Sequence, residues 1–212
     1  MSAQTQVLPT DLNGWTRVDG QAINQAINAE KPYTDAGDNG SLELFMATAT
    51  SKATYQFNFA TAQSLSALTA LSFDWYRLSS SAASAHFAPV LSLMISSAQG
   101  NSLLEWEYVY NVAGAAPVDS WQHADILGGN FWRWGSFPHP ILGSLLPQTG
   151  WTSTTCQRQT GSQAFWTLAQ WASSQCLTGD IKVTAIQISA GSGWNGSFDG
   201  YVDNVKFAFG DG

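Results

Sequence analysis

Apolar and polar residues alternate with a period of two through much of the chain. In residues 52–60 (KATYQFNFA), Tyr55, Phe57 and Phe59 alternate with Thr54, Gln56 and Asn58, and in 71–77 (LSFDWYR) Leu71, Phe73, Trp75 and Arg77 take every second place. Successive side chains of a strand point to opposite faces, so each stretch predicts a strand with one apolar and one wet face. The same reading predicts strands over 14–19, 41–46, 89–96, 181–190 and 197–209. Residues 103–110 (LLEWEYVY) place Leu104, Trp106, Tyr108 and Tyr110 on one side and Leu103, Glu105, Glu107 and Val109 on the other. Helical spacing is confined to 163–175, where Phe165, Leu168, Ala169 and Ala172 recur as one stripe. Many short strands and one short helix predict an all-β fold, a two-sheet antiparallel β-sandwich of the jelly-roll, lectin-like kind. It occupies 1–212 as a single domain. Residues 1–13 read as an extended arm, 21–39 as a polar loop, and 114–161 as a long aromatic-rich insertion without periodicity.

The last strand contains an anomaly. Strict alternation puts Tyr201, Asp203, Val205, Phe207 and Phe209 on one face, which makes Asp203 a carboxylate in an apolar row. Such a group needs a cation or a set of hydrogen-bond donors, because an uncompensated buried carboxylate costs several kcal/mol.

Composition narrows the partners. Only 11% of the 212 residues are charged and the formal net charge is −7. Eight Lys and Arg that never cluster argue against nucleic acid, whose binding depends on neutralising phosphates. No apolar run reaches the ~20 residues of a spanning helix, so membrane insertion is not expected. The start has neither a basic nor an apolar leader region, so no export signal is expected within this chain: either it is not exported or a signal has been removed from it. Cys156 and Cys176 are the two cysteines. Paired as a disulfide they would close a loop worth roughly 3 kcal/mol; two buried thiols are the alternative, and a zinc site lacks the usual spacing.

Residues 191–196 (GSGWNG) match the dinucleotide fingerprint G-x-G-x-x-G letter for letter, but a strand follows where that motif must open a helix. Asn195-Gly196 reads instead as a turn. The ending 193–205 (GWNGSFDGYVDNV) resembles the terminal strand of exported bacterial jelly-roll domains similar to carbohydrate-binding modules, as in secreted bacterial proteins with sorting tails. Residues 40–44 (GSLEL) resemble the second strand of the same group. The resemblance implies an extracellular or cell-surface location and a structural calcium held by Asp203, with Glu43 and Asp19 as partners; an Arg or backbone amides beside Asp203 are the metal-free alternative.

These readings lead to a non-catalytic module that binds a glycan or polysaccharide. Trp121, Trp132, Trp134 and Trp151 are the expected stacking rings, and Arg133, Glu105 and Glu107 the hydrogen-bonding groups. Two other classes fit the sequence. A structural or surface-assembly subunit would polymerise or form homo-oligomers by adding its N-terminal arm to a neighbour's sheet edge. A polysaccharide-active glycosidase or lyase would use Glu105 and Glu107. These lie about 7 Å apart along one strand and need Asp74 from elsewhere, because catalytic carboxyls flank the scissile bond.

Overall fold

The computed structural model describes residues 7, 11–18, 25–28, 40–134, 165–174, 176–191 and 193–210. Eleven strands are found among them: β1 (Trp15–Arg17), β2 (Gln25–Asn28), β3 (Ser41–Met46), β4 (Ala53–Ser64), β5 (Leu68–Arg77), β6 (Val90–Ser97), β7 (Gly100–Trp106), β8 (Gln122–Asp125), β9 (Trp132–Trp134), β10 (Lys182–Ala190) and β11 (Phe198–Phe209). They form a six-stranded sheet in the order β1-β4-β10-β6-β7-β9 and a five-stranded sheet in the order β2-β3-β11-β5-β8, every pairing antiparallel. Apart from the consecutive pairs β2–β3 and β6–β7, neighbours in the sheets are not consecutive in sequence, as in a jelly-roll sandwich. The all-β, two-sheet reading is thus what the chain adopts.

The core is built by the alternation seen in the sequence. Leu71, Phe73 and Trp75 of β5 face Leu91, Leu93 and Ile95 of β6, Leu104 and Trp106 of β7 and Ile186 and Ile188 of β10 within one buried cluster. Rings interlock across the two sheets: Phe73 meets Trp106 edge-on at 5.7 Å, Phe57 meets Phe207 at 5.5 Å, and Phe59 meets Phe209 at 5.4 Å. Arg77 continues the inward face of β5 and is buried. Its Nη1 donates to Phe87 O at 2.6 Å and its Nη2 to Ala83 O at 2.8 Å and Ser81 O at 3.4 Å, so the guanidinium holds the β5–β6 loop from inside. Burial pulls its pKa below the usual arginine value.

Several expectations are corrected. The polar side of β4 is wet only in part: Asn58 is exposed, but Thr54 is buried and Gln56 is 0% exposed and accepts from Gln187 Nε2 at 2.7 Å, with which it is in register on β10. The stretch 21–39 contains β2, and the aperiodic segment from 114 contains β8 and β9, short strands that add to sheet edges. The strand expected over 103–110 ends at Trp106, and a 3-10 turn follows at Tyr108–Tyr110. The helix is shorter than expected: α1 spans Leu168–Ser173, started by a capping box between Thr167 and Gln170, with Leu168 and Trp171 as its buried residues. Cys176 is buried in the core beside Leu177; Cys156, its expected partner, lies outside the described residues, as does all of the arm except residues 7 and 11–13.

The last strand also departs from strict alternation. Its pairing with β5 slips between Asp203 and Lys206, and Asn204 takes φ 47°, a β-bulge that inserts one residue. The phase therefore flips within the strand. Val202 points inward opposite Trp75, Tyr201 and Asp203 point outward, and beyond the bulge Val205, Phe207 and Phe209 return to the core side. Asp203 is half-buried on the outer face and does not stand in the apolar row.

Candidate functional site on the outer faces of the sheets

The expected site residues separate onto two faces. On the six-stranded sheet, β9 pairs with β7 so that Trp132 lies opposite Glu105 and Trp134 opposite Leu103. Glu107 joins them, because its Oε1 accepts from Trp132 Nε1 at 3.0 Å, while Glu105 Oε1 accepts from Ser92 Oγ at 3.2 Å. Trp132, Glu105 and Glu107 are brought together as anticipated, but Trp132 is only 3% exposed. A ring so covered offers no face to a ligand. Arg133 alternates to the other side of β9, opposite the core residue Leu104, and is 1% exposed. Burial pulls the pKa of its guanidinium down to about 9. The side chain of Trp134 and the whole of Trp151 lie outside the described residues. Glu105 and Glu107 thus have partners of their own, Ser92 of β6 and Trp132 of β9, and Asp74 stands on the opposite sheet. The three do not flank a common groove.

The outer face of the five-stranded sheet is different in kind. Register places Glu43 of β3 opposite Tyr201 of β11, and Tyr201 opposite Tyr76 of β5. Tyr76 in turn packs edge-on against Trp121, just before β8, at 5.5 Å, and against Tyr201 at 6.2 Å. Neither tyrosine belongs to the core cluster between the sheets. The result is a row of three rings running across adjacent strands, which are spaced about 4.8 Å apart. Tyr76 and Tyr201 are buried beneath, and Trp121 at the end of the row is half-exposed.

Two residues further along the strands runs a polar row. Asp203 lies opposite Asp74, and Asp74 opposite His123. Both oxygens of the Asp74 carboxylate are engaged: Oδ1 is 2.6 Å from His123 Nδ1, and Oδ2 accepts from Asn204 Nδ2 at 3.0 Å. The bulge makes the second contact, because the φ of Asn204 turns its amide back toward β5 while its backbone N–H donates to Asp203 Oδ1 at 2.7 Å. The Asp74 side chain is 4% exposed and that of His123 is 63% exposed. A buried carboxylate therefore carries an imidazole at the surface beside the rings. The sequence singled out Trp121 and Asp74 but missed Tyr76, Tyr201, His123 and Asn204, which only the strand register brings together.

Two of the three expected calcium ligands, Asp203 and Glu43, lie on the neighbouring strands β11 and β3. Glu43 is opposite Tyr201 rather than Asp203, Asp19 lies outside the described residues, and no group of three or more His, Cys, Asp or Glu among the described residues is placed to hold a metal ion.

No protein-family model matches the chain, and no curated protein matches it. Among solved structures, the family 11 carbohydrate-binding module from Clostridium thermocellum, in complex with a β-1,3-1,4-mixed-linked tetrasaccharide, matches 93% of this chain over 90% of its own, with TM-score 0.48 and 13% identity. A structure of an exo-β-agarase matches 94% of this chain at TM-score 0.42 and 14% identity, and the match spans 23% of the agarase chain. The chain is similar to both in the course of its strands. The ending that resembles exported bacterial domains has no counterpart in a sequence match. No helix among the described residues is long and apolar enough to cross a membrane.

Proposed function

We propose that this chain binds carbohydrate without transforming it, on the outer face of the five-stranded sheet. The observation that carries the reading is the half-exposed Trp121 ring, held edge-on by the buried Tyr76, beside the row of His123, Asp74 and Asp203. A flat ring suits the apolar face of a pyranose, and fixed polar groups beside it suit the hydroxyls, the usual pairing of broad apolar contact with a few directed hydrogen bonds. Trp121 is the stacking ring, and the buried tyrosines hold its angle. Binding rather than hydrolysis is favoured because Glu105 and Glu107 have partners of their own, and Asp74 lies on the far sheet from them. Carbohydrate polymers are met outside cells, and an extracellular or cell-surface location accompanies this reading.

Affinity electrophoresis of the full chain tests it, in gels containing mixed-linked β-1,3-1,4-glucan, agarose or xylan. At least one polysaccharide is expected to retard the protein, Trp121→Ala to abolish the retardation, and Trp132→Phe to leave it intact. Mobility unchanged across a broad panel of such glycans would overturn the proposal.

A further inference from the structure

The contact between Asp74 and His123 has a consequence for what the face can recognise. An ionised carboxylate can only accept a hydrogen bond, so the 2.6 Å contact from Asp74 Oδ1 requires the proton of His123 on Nδ1. In the neutral ring Nε2 then carries the lone pair. The second oxygen of Asp74 is fixed by Asn204 Nδ2 at 3.0 Å, and the carboxylate is buried, so neither it nor the tautomer it selects is free to swing. The imidazole itself is 63% exposed. Asp74 holds the ring from below and Nε2 is left for an outside partner.

Position completes the argument. Trp121, just before β8, and His123 within it are two residues apart, which separates their Cα atoms by about 7 Å where the backbone is extended. That separation puts His123 within reach of the rim of a pyranose resting on the Trp121 ring.

We infer that His123 is the residue of this face that selects ligands with a hydroxyl at that rim, accepting the hydroxyl proton on Nε2, and that Asp74 is its positioning residue. This rests on the carbohydrate reading of the face and adds to it a named polar contact with a defined direction: donor on the sugar, acceptor on the protein. A glycan whose rim position is methylated has no proton to give and binds poorly for that reason.

Two measurements on the full chain test the inference separately. The first needs no ligand. A long-range nitrogen–proton NMR spectrum of the neutral ring is expected to show His123 protonated at Nδ1 and bare at Nε2, and Asp74→Asn to lose that preference; a neutral wild-type ring protonated at Nε2 overturns the inference. The second uses whichever polysaccharide of the panel retards the wild type. His123→Ala is expected to weaken binding at least tenfold, and His123→Gln, whose side-chain carbonyl can also accept, to recover part of the loss. Wild-type binding that survives His123→Ala unchanged sinks this inference and leaves the carbohydrate reading standing. Failure of the wild type to bind any glycan sinks that reading and, with it, the ligand contact assigned to His123.

Discussion

The indole N–H of Trp132 donates to Glu107 Oε1 at 3.0 Å, with both residues buried at the β9 edge of the six-stranded sheet. This contact ties the short strand β9 to the end of β7, where three residues of pairing alone give little cooperativity. Replacing Glu107 by Leu leaves the indole donor buried without its acceptor, which costs about 1–3 kcal/mol. Glu107→Gln keeps a carbonyl acceptor and loses less. Urea unfolding monitored by tryptophan fluorescence should rank the stabilities wild type, Glu107→Gln, Glu107→Leu, with affinity for any retarding glycan the same in all three.

Asn204 combines backbone and side-chain roles at the bulge of β11. Its φ of 47° is tolerated by Asn and Gly and strongly disfavoured for β-branched residues. Asn204→Gly keeps the bulge and removes the donor to Asp74, an expected loss of about 1 kcal/mol. Asn204→Val removes the donor and adds about 1–2 kcal/mol of backbone strain. The two variants separate the roles: thermal unfolding should place Val below Gly, while both disturb the His123 tautomer, because both release one oxygen of Asp74.

The bulge also marks where reading by alternation stops working. The inward faces of β4 and β5 could be read directly, since Phe57 and Phe59, or Phe73 and Trp75, repeat with period two and are packed where that period puts them. One inserted residue breaks the period, and in the run Asp203-Asn204-Val205 the only signal was an Asn, the residue other than Gly that most readily takes a positive φ. Strands β2, β8 and β9 carry three or four residues each, too few for a period to show. The candidate site was the least legible part. Glu43, Tyr76, His123 and Tyr201 lie on four strands that the chain visits far apart, with Trp121 just before one of them, and no local pattern specifies which strand pairs with which. The Thr167-x-x-Gln170 capping box, by contrast, was a local signal for the start of α1 and shows why Phe165 and Trp166 lie before the helix; Trp166 instead bridges Phe131.

Arg77 is expected to be structural despite its charge. Three carbonyls of the β5–β6 loop converge on its guanidinium, and the cation also lies 5.5 Å from the centre of the Phe198 ring. Arg77→Met leaves those carbonyls short of donors, a loss on the order of 3 kcal/mol. Arg77→Lys does not rescue it fully, because a single ammonium lacks the planar fork that reaches separate acceptors. Limited proteolysis should show faster cleavage within residues 78–89 in both variants, with Met the faster. Equal protection in wild type and Arg77→Met would remove the role assigned here.

The three glycines of the 191–196 turn are there for different reasons, and alanine substitution should separate them. A Cβ on Gly196 would lie 2.6 Å from the backbone carbon and oxygen of Ala82 and 2.7 Å from Ala83 N, where rigid main chain cannot yield. The turn docks at this point: Ala83 N donates to Ser197 O at 2.8 Å, and Trp194 stacks on Phe87 at 4.9 Å with the rings 7° from parallel. Gly196→Ala must push the two segments apart and should cost about 1–3 kcal/mol. At Gly193 nothing stands within 4 Å, but φ is 92°, so Gly193→Ala carries only the backbone strain of about 1–2 kcal/mol. Gly191 has open space and no positive φ, and Gly191→Ala should stay within about 0.5 kcal/mol of wild type. Urea midpoints with unchanged slopes provide the ranking. Close packing of this turn against the β5–β6 loop predicts that Gly196→Ala is also the variant that increases cleavage within 78–89. A phosphate-cradling turn would depend instead on a following helix and an open approach to its amides, and here the glycines serve a contact between two loops at one end of the sandwich.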